Sequence, residues 1–322
     1  MSVKLLITWF AFMPLLAQAQ APAWKPDKPV ELIIGAAPGG ANDRIGRTLQ
    51  RLLQDGKVNT VNVLNKPGGG QSVAFAYLNT HQGNPHFLGL ASSSWLTTVA
   101  AGRGTVTPRE LSPVIKLLDE YQMYFVRADS PIKSARDIVE RLRKDPASVT
   151  FGISTAAGNP IHISVAEIAR LAGADPTKLK VVVFNSGTDT AIQVAGGHLD
   201  IGVQSPGSAL QLIQSGKLRF IGVAGPRRHG GVLANVPTMR EQGVDVTANV
   251  FYTIFGPKSL DAAQLTFWDD ALAGAMKSDE VKKALDINFW SVELIGHREL
   301  PGWLEKELDA YRRTLTALGM AK

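Results

Sequence analysis

The sequence predicts an α/β protein of two units, each built on a doubly wound mixed sheet. Three observations predict this. The chain is 322 residues long, which leaves room for about two domains. Its composition, 45% hydrophobic and 19% charged, is that of a packed globular protein. Strand-like and helix-like segments alternate in two successive runs, with Gly-rich and small polar turns at the junctions.

The first run opens with an apolar strand at 30–34. Residues 43–53 follow, with Ile45, Leu49, Leu52 and Leu53 at the i, i+4, i+7 and i+8 positions of an amphipathic helix. A strand at 58–64, the turn NKPGGG (65–70), a helix around 71–79 and a strand around 87–91 complete a β-α-β-α-β alternation. Such alternation marks parallel strands joined by crossover helices.

The second run starts with strand-like YQMYFVRADS (121–130), then a helix over 134–146 that Pro146 stops, and a strand at 149–154. The helix at 159–173 has complete punctuation: Asn159 at the N-cap, Pro160 at the first helical position and Gly173 just past the end. Strands at 179–185, 199–204 and 217–225 alternate with SGTDTAIQVAGG, another capped helix, and SPGSALQLIQSG. After about Asn249 the chain reads as mainly helical, over 261–276, 279–286 and 299–318, and these helices are expected to pack on one of the two units. The chain is expected to cross between units near Tyr124 and to return between 246 and 252. Domain 1 is therefore residues 20–124 plus 247–322, and domain 2 is 125–246. Two crossings permit a hinge, and ligands of open α/β sheets sit beyond the carboxyl ends of the strands.

The first nineteen residues read as a Sec-type leader. Lys4 precedes an apolar run at 5–17, too short to span a bilayer, and Ala17-Gln18-Ala19 fits a small-x-small cleavage site. Cleavage after Ala19 would release an exported protein. The chain has no cysteine, which removes disulfides, Cys-zinc sites, thiol nucleophiles and lipid attachment through an N-terminal Cys. An exported, unanchored protein is expected in the periplasm, where an outer membrane retains it. The formal charge is +6. A basic surface favours small anions; with no basic run interleaved with aromatics, no nucleic-acid partner is expected.

The Gly-rich turn GAAPGG (35–40) is not a nucleotide loop. Ala41-Asn42 stands where a phosphate loop needs Lys-Ser/Thr, and the third glycine of a dinucleotide fingerprint is missing. There is no GxSxG elbow, and the six histidines form no HExxH motif. A hydrolase using Ser154 or a neighbouring serine with His162 is the enzymatic alternative. What remains is five strand-to-helix turns: 35–43, ASSSW (91–95), STAAGNPIH (154–162), FNSGTDT (184–190) and QSPGS (204–208). Each can aim backbone N–H groups and hydroxyls at an anion from a helix N-terminus. Such residues also serve ordinary helix capping. His162 either bonds to its own loop or lines a pocket. Arg44 either reaches an anion or stays an exposed helix charge.

These segments resemble the substrate-binding proteins of tripartite tricarboxylate transporters, also called Bug-type receptors. GAAPGGANDRIGR (35–47) is similar to the family's PFxxGGxxDxxAR, and NKPGGGQ (65–71) to its NRPGAGG. The stretch 130–154, GNPIH (158–162), AGGHLDIG (195–202), IQSGKLRFIGVAG (213–225) and NVPTMREQG (235–243) follow in the family's order. The resemblance implies a type II, Venus-flytrap periplasmic binding protein, a non-enzymatic monomer without cofactor or metal. It would deliver a small di-, tri- or aromatic carboxylate to the inner-membrane permease subunits. The alternative is a periplasmic sensor feeding a histidine kinase. Carried over, Ala37, Gly39, Gly40 and Asn42 would hold a ligand carboxylate from domain 1. Ser154, Thr155, Gly158, Asn159 and His162 would do so from domain 2. Ser92, Ser93, Ser94, Phe184, Asn185 and Gln204 would read the distal end. This chain departs from the pattern at Gly35-Ala36, where the family has Pro-Phe and where a larger pocket is expected. It also departs at Asn42, Arg44, the segment 183–187 and Gln204, all in regions that set specificity.

Overall fold

The computed structural model describes residues 24–39, 41–154 and 156–321. The leader and its cleavage site, Gly40 and Thr155 lie outside the described residues. In chain order the elements are β1 (Val30–Ile34), α1 (Ala41–Asp55), β2 (Val61–Asn65), α2 (Ser72–Asn79), β3 (Phe87–Ser92), α3 (Ser93–Ala100), β4 (Ser112–Tyr121) and β5 (Met123–Arg127). There follow α4 (Ala135–Lys144), β6 (Thr150–Ser154), α5 (Pro160–Leu171), β7 (Lys180–Phe184), α6 (Gly187–Ala195), β8 (Ile201–Gln204), α7 (Pro206–Gln214) and β9 (Leu218–Val223). The chain ends with β10 (Asn249–Gly256), α8 (Ala262–Ala275), α9 (Asp279–Asn288), β11 (Trp290–Gly296) and α10 (Leu300–Ala317).

Two mixed sheets organise these elements. The first has the order β11-β4-β10-β3-β1-β2 and the second β7-β6-β8-β5-β9. β1 pairs parallel with β2 and β3, and β6 pairs parallel with β7 and β8. The strands at the crossings, β4, β5 and β10, pair antiparallel.

Alternation along β1 separates the two faces of the first sheet. Val30 and Leu32 join a core with α1 and α8 that encloses Trp268. Ile33 joins the opposite core with Phe75, Trp95, Phe255 and α10. Strand geometry places successive side chains on opposite faces, so one five-residue strand feeds two cores. Phe75 stacks on Trp95 at 4.0 Å, and Phe255 meets Trp95 edge-on at 5.3 Å. β5 repeats the logic in the second sheet: Tyr124 and Val126 face the α4 and α5 side, and Phe125 faces α6 and α7.

The structure adds a strand at Ser112–Tyr121 that the sequence pattern does not mark, and it adds strands to the C-terminal third. β4, β10 and β11 are strands of the first sheet; the three C-terminal helices lie where they are expected, but the segment after Asn249 also contributes two strands to that sheet. β4 is buried almost throughout and carries Lys116 and Asp119 in its middle, so neither alternation nor a clean apolar run marks it. Lys116 is held by the Asp119 carboxylate and by Glu293 at 3.1 Å, which explains how charge survives there. β2 starts at Val61, not at 58, because Asn59 bonds to the Pro26 carbonyl at 3.1 Å and Thr60 accepts the Val30 N–H at 2.8 Å. Nor does α10 pack on one unit alone, for it contacts both α3 and α5.

The chain leaves the first sheet at Gln122 and returns at Ala248. Gln122 N donates to Ala248 O at 2.8 Å, Ala248 N to Ala224 O at 2.9 Å, and Ala224 N to Gln122 O at 2.9 Å. Three backbone segments are thus stitched together at the waist between the sheets.

Candidate functional site

The ends of five helices converge on one cleft of about 630 Å³ between the two sheets. Ala41 and Asn42 come from α1, Ser94 from α3, Ile161 from α5, Gly187 and Thr188 from α6, and Gly207 and Ser208 from α7. Strand-to-helix turns face it for the reason anticipated: each helix begins just past the carboxyl end of its strand. A neighbouring cavity of about 390 Å³ lies apart, between α5 and α10. A second one of about 590 Å³ shares Asn42, Ser92, Ser94 and Asn159 with the cleft.

The first turn is held by Asp43, which is 2% exposed. Its Oδ2 accepts the Gly39 N–H at 2.8 Å and Arg47 Nε at 2.9 Å, and its Oδ1 accepts Asn65 Nδ2 at 2.9 Å. Asn65 also donates to the Ala36 carbonyl at 3.0 Å. Burial pushes the Asp43 carboxyl up, but the Arg47, Gly39 and Asn65 donors outweigh it and hold the group at about 2, below its ordinary 3.8. Gly39 has φ +84°, a left-handed conformation that favours glycine. A Cβ on it would meet nothing within 4 Å, so it would project into open space. Arg44 is exposed, lines the cleft and donates to Gly39 O at 3.1 Å.

Gln71 links the first turn to the third strand. Its Oε1 accepts Asn42 Nδ2 at 3.2 Å and Ser92 N at 3.1 Å, and its Nε2 donates to Ser92 Oγ at 2.6 Å. This limits the expectation of extra room at Gly35. A Cβ there would lie 2.6 Å from Gln71 Cβ, so the side chain of Gln71 occupies the space beside it. Gly35 and Ala36 still line the adjoining 590 Å³ cavity.

On the second sheet, Ser154 Oγ donates to Gln204 Oε1 at 2.8 Å, and Gln204 Nε2 donates to Thr190 Oγ1 at 3.0 Å. Thr190 Oγ1 in turn lies 3.3 Å from the Ile153 carbonyl. This buried chain joins β6, β8 and α6 at the cleft wall. Asn159 caps α5 by accepting His162 N at 2.9 Å and donates from Nδ2 to Ser154 O at 2.7 Å. His162 is 6% exposed, its Nδ1 accepts Gly158 N at 3.0 Å, and burial lowers its pKa. It therefore holds its loop as a neutral ring. Gly158, at φ +79°, sits against Leu315 of α10.

Of the residues singled out from the sequence, Gly39, Asn42, Ser92, Ser94, Ser154, Asn159, Asn185 and Gln204 line the cleft together. His162 and Gly158 lie behind it. Ser93 is fully buried with its Oγ accepting Phe251 N at 3.3 Å, and Phe184 packs into the second sheet's core. Ala37 is exposed and is not among the lining residues. Sequence reasoning missed Asp43 and Gln71 as organisers of the loop and Thr190 as the end of the Gln204 chain. It also missed Glu120, Gln122 and Tyr252, which form part of the cleft floor. Glu120 and Tyr252 stand on strands that the sequence pattern does not reveal.

Comparisons with known proteins place the chain in a family and support its fold. Residues 45–295 match the family described as the tripartite tricarboxylate transporter family receptor, TctC. A curated relative, the "UPF0065 protein in gbd 5'region" of Cupriavidus necator, is 25% identical over 276 residues, covering 85% of this chain and 82% of the relative. A TctC solute-binding protein from Polaromonas superposes with a TM-score of 0.77 at 20% identity, covering 90% of this chain and 99% of that one. The R. palustris protein Rpa4515, solved with adipate, superposes with a TM-score of 0.76 at 18% identity, covering 92% and 99%. No helix among the described residues is long and apolar enough to cross a membrane.

Proposed function

Because the chain belongs to the tripartite tricarboxylate transporter receptor family, we propose that it is a periplasmic solute-binding protein that captures a small organic carboxylate for the family's inner-membrane permease. The observation that carries this reading is the convergence of five helix N-termini on a single cleft. Helix N-termini present unsatisfied N–H groups and a partial positive charge, so they favour carboxylate without requiring a lysine or arginine clamp. The adipate held by Rpa4515 is of the same chemical class.

In this reading domain 1 is 20–124 plus 247–322 and domain 2 is 125–246, and the two move about the bonded backbones at Gln122, Ala224 and Ala248. Gly39 and Asn42 grip from domain 1; Ser154, Asn159, Asn185 and Gln204 grip from domain 2. Closure buries the anion between opposed helix ends and presents the closed form to the permease. The protein works as a monomer after cleavage behind Ala19.

A thermal-shift screen of mono-, di-, tri- and aromatic carboxylates tests the reading. Ligand at a hundred times its Kd should stabilise the fold by about 2.7 kcal/mol. Silence across the carboxylates, together with a shift by neutral solutes, would remove the anion reading.

A further inference from the structure

Among the described residues that line the cleft, two side chains are ionisable acids or bases of opposite sign: Arg44 at the mouth and Glu120 on the floor. Glu120 stands near the end of β4, opposite Val250 of β10 and Trp290 of β11. It is 9% exposed. Its Oε1 accepts the indole N–H of Trp290 at 3.2 Å, and its other carboxyl oxygen has no hydrogen-bond partner among the described residues. Gln122, 1% exposed, spends its amide N–H on the Glu120 carbonyl at 2.9 Å, which leaves its side-chain oxygen as an acceptor at the cleft. Tyr252 is 1% exposed, lies within electrostatic reach of Glu120, and its hydroxyl has no partner among the described residues.

The floor therefore differs in chemistry from the walls. The walls offer N–H donors from helix ends, whereas the floor offers side-chain oxygens, among them the Glu120 carboxyl, whose pKa burial raises while the Trp290 hydrogen bond and the Arg44 charge act against that shift. When Glu120 is ionised, a plain polycarboxylate seated there would meet it as a like charge that Arg44 offsets only in part. A hydroxyl would supply one hydrogen bond but no charge. An ammonium supplies three N–H donors and the opposite charge.

On the carboxylate reading given above, we propose that the cleft selects a carboxylate that also carries a protonated amine, with Glu120 as the residue that determines this specificity. The helix N-termini hold the carboxylate, and Glu120, Gln122 and Tyr252 receive the ammonium.

Calorimetric titration of matched pairs tests this: adipate against its 2-amino counterpart, and succinate against aspartate. The wild-type protein should bind the amino member of at least one pair about tenfold or more tightly than the plain diacid. In Glu120→Gln that preference should fall to about one while the plain diacid binds as well as before or better. Tyr252→Phe preserves the shape of the floor and should lower the preference by a smaller factor, which keeps the test valid if Glu120→Gln folds poorly by circular dichroism. A wild-type preference for the plain diacids, or an amino preference that both variants leave unchanged, would overturn the inference. Silence of all four ligands, with other carboxylates silent too, would instead remove the carboxylate reading itself, and this inference with it.

Discussion

Asp43 fixes the geometry of the first turn with three donors on two oxygens, and two predictions belong to it and its neighbour. Asp43→Ala leaves the Gly39 N–H, Asn65 and Arg47 without their acceptor. The expected loss is about 2 kcal/mol in urea unfolding, typical of buried hydrogen bonds to a charged group. The sign of the pH dependence follows from the lowered pKa. Asp43 contributes stability that is fully present above its unfolded value near 3.8 and is lost as pH falls through about 2. The stability gap between wild type and Asp43→Asn should therefore be constant above about pH 5 and shrink towards pH 2. A gap independent of pH would show that the carboxylate is not held in its charged form. At Gly39 the φ of +84° makes valine strained, at about 1–2 kcal/mol, and the added side chain projects into open space at the cleft edge. Gly39→Val should keep its fold by circular dichroism and lose carboxylate binding. Asp43 is visible in the sequence as a motif position, but its part in the loop depends on Asn65, eighteen residues beyond Arg47, and on a side-chain geometry that no local pattern encodes.

At the scale of elements, the site depends on how helix starts are pinned. Asn159 caps α5 and also ties the loop back to the Ser154 carbonyl. Asn159→Ala should cost about 1–2 kcal/mol, read as a shift in the urea midpoint at constant m-value. An unchanged midpoint would show that the cap contributes nothing. The starts of α6 and α7 touch so closely that a Cβ on Gly187 would lie 2.4 Å from Ser208 Oγ. Gly187→Ala should push these ends apart and weaken ligand binding by more than its effect on thermal stability; equal affinity in calorimetry would exclude α6 from the site. The helices α5 and α6 were legible because capping, apolar period and terminal glycine agree along a short stretch, and α7 because Pro206 and Gly216 bracket its apolar period. The strands β4, β10 and β11 were not. Their partners lie far away in sequence, and the buried Lys116–Asp119 pair, joined by the exposed Glu293 of β11, puts charges in β4 and β11 that read as polar when each side chain is taken alone. Losing those strands from the sequence reading also hid Glu120 and Tyr252, which is why the walls of the cleft were foreseen and its floor was not.

At the scale of the molecule, two sheets joined by backbone at Gln122, Ala224 and Ala248 form a waist with the cleft above it. The two-unit architecture was readable because βαβ alternation, repeated twice, leaves few other topologies. Closure about the waist should reduce the radius of gyration in small-angle scattering when a cognate ligand is added, and an unchanged curve at saturation would argue for a rigid cleft. The contact of α10 with both α3 and α5 bears on this motion, since a helix touching both units must slide or release as they close. The central claim is that one cleft, walled by five helix N-termini, captures a small organic carboxylate. Its most direct test is calorimetric titration of the best carboxylate from the thermal screen into the wild type and into Gly39→Val. One saturable site in the wild type, lost in a folded Gly39→Val, is the expected result; equal binding by both proteins, or none by the wild type, would contradict it.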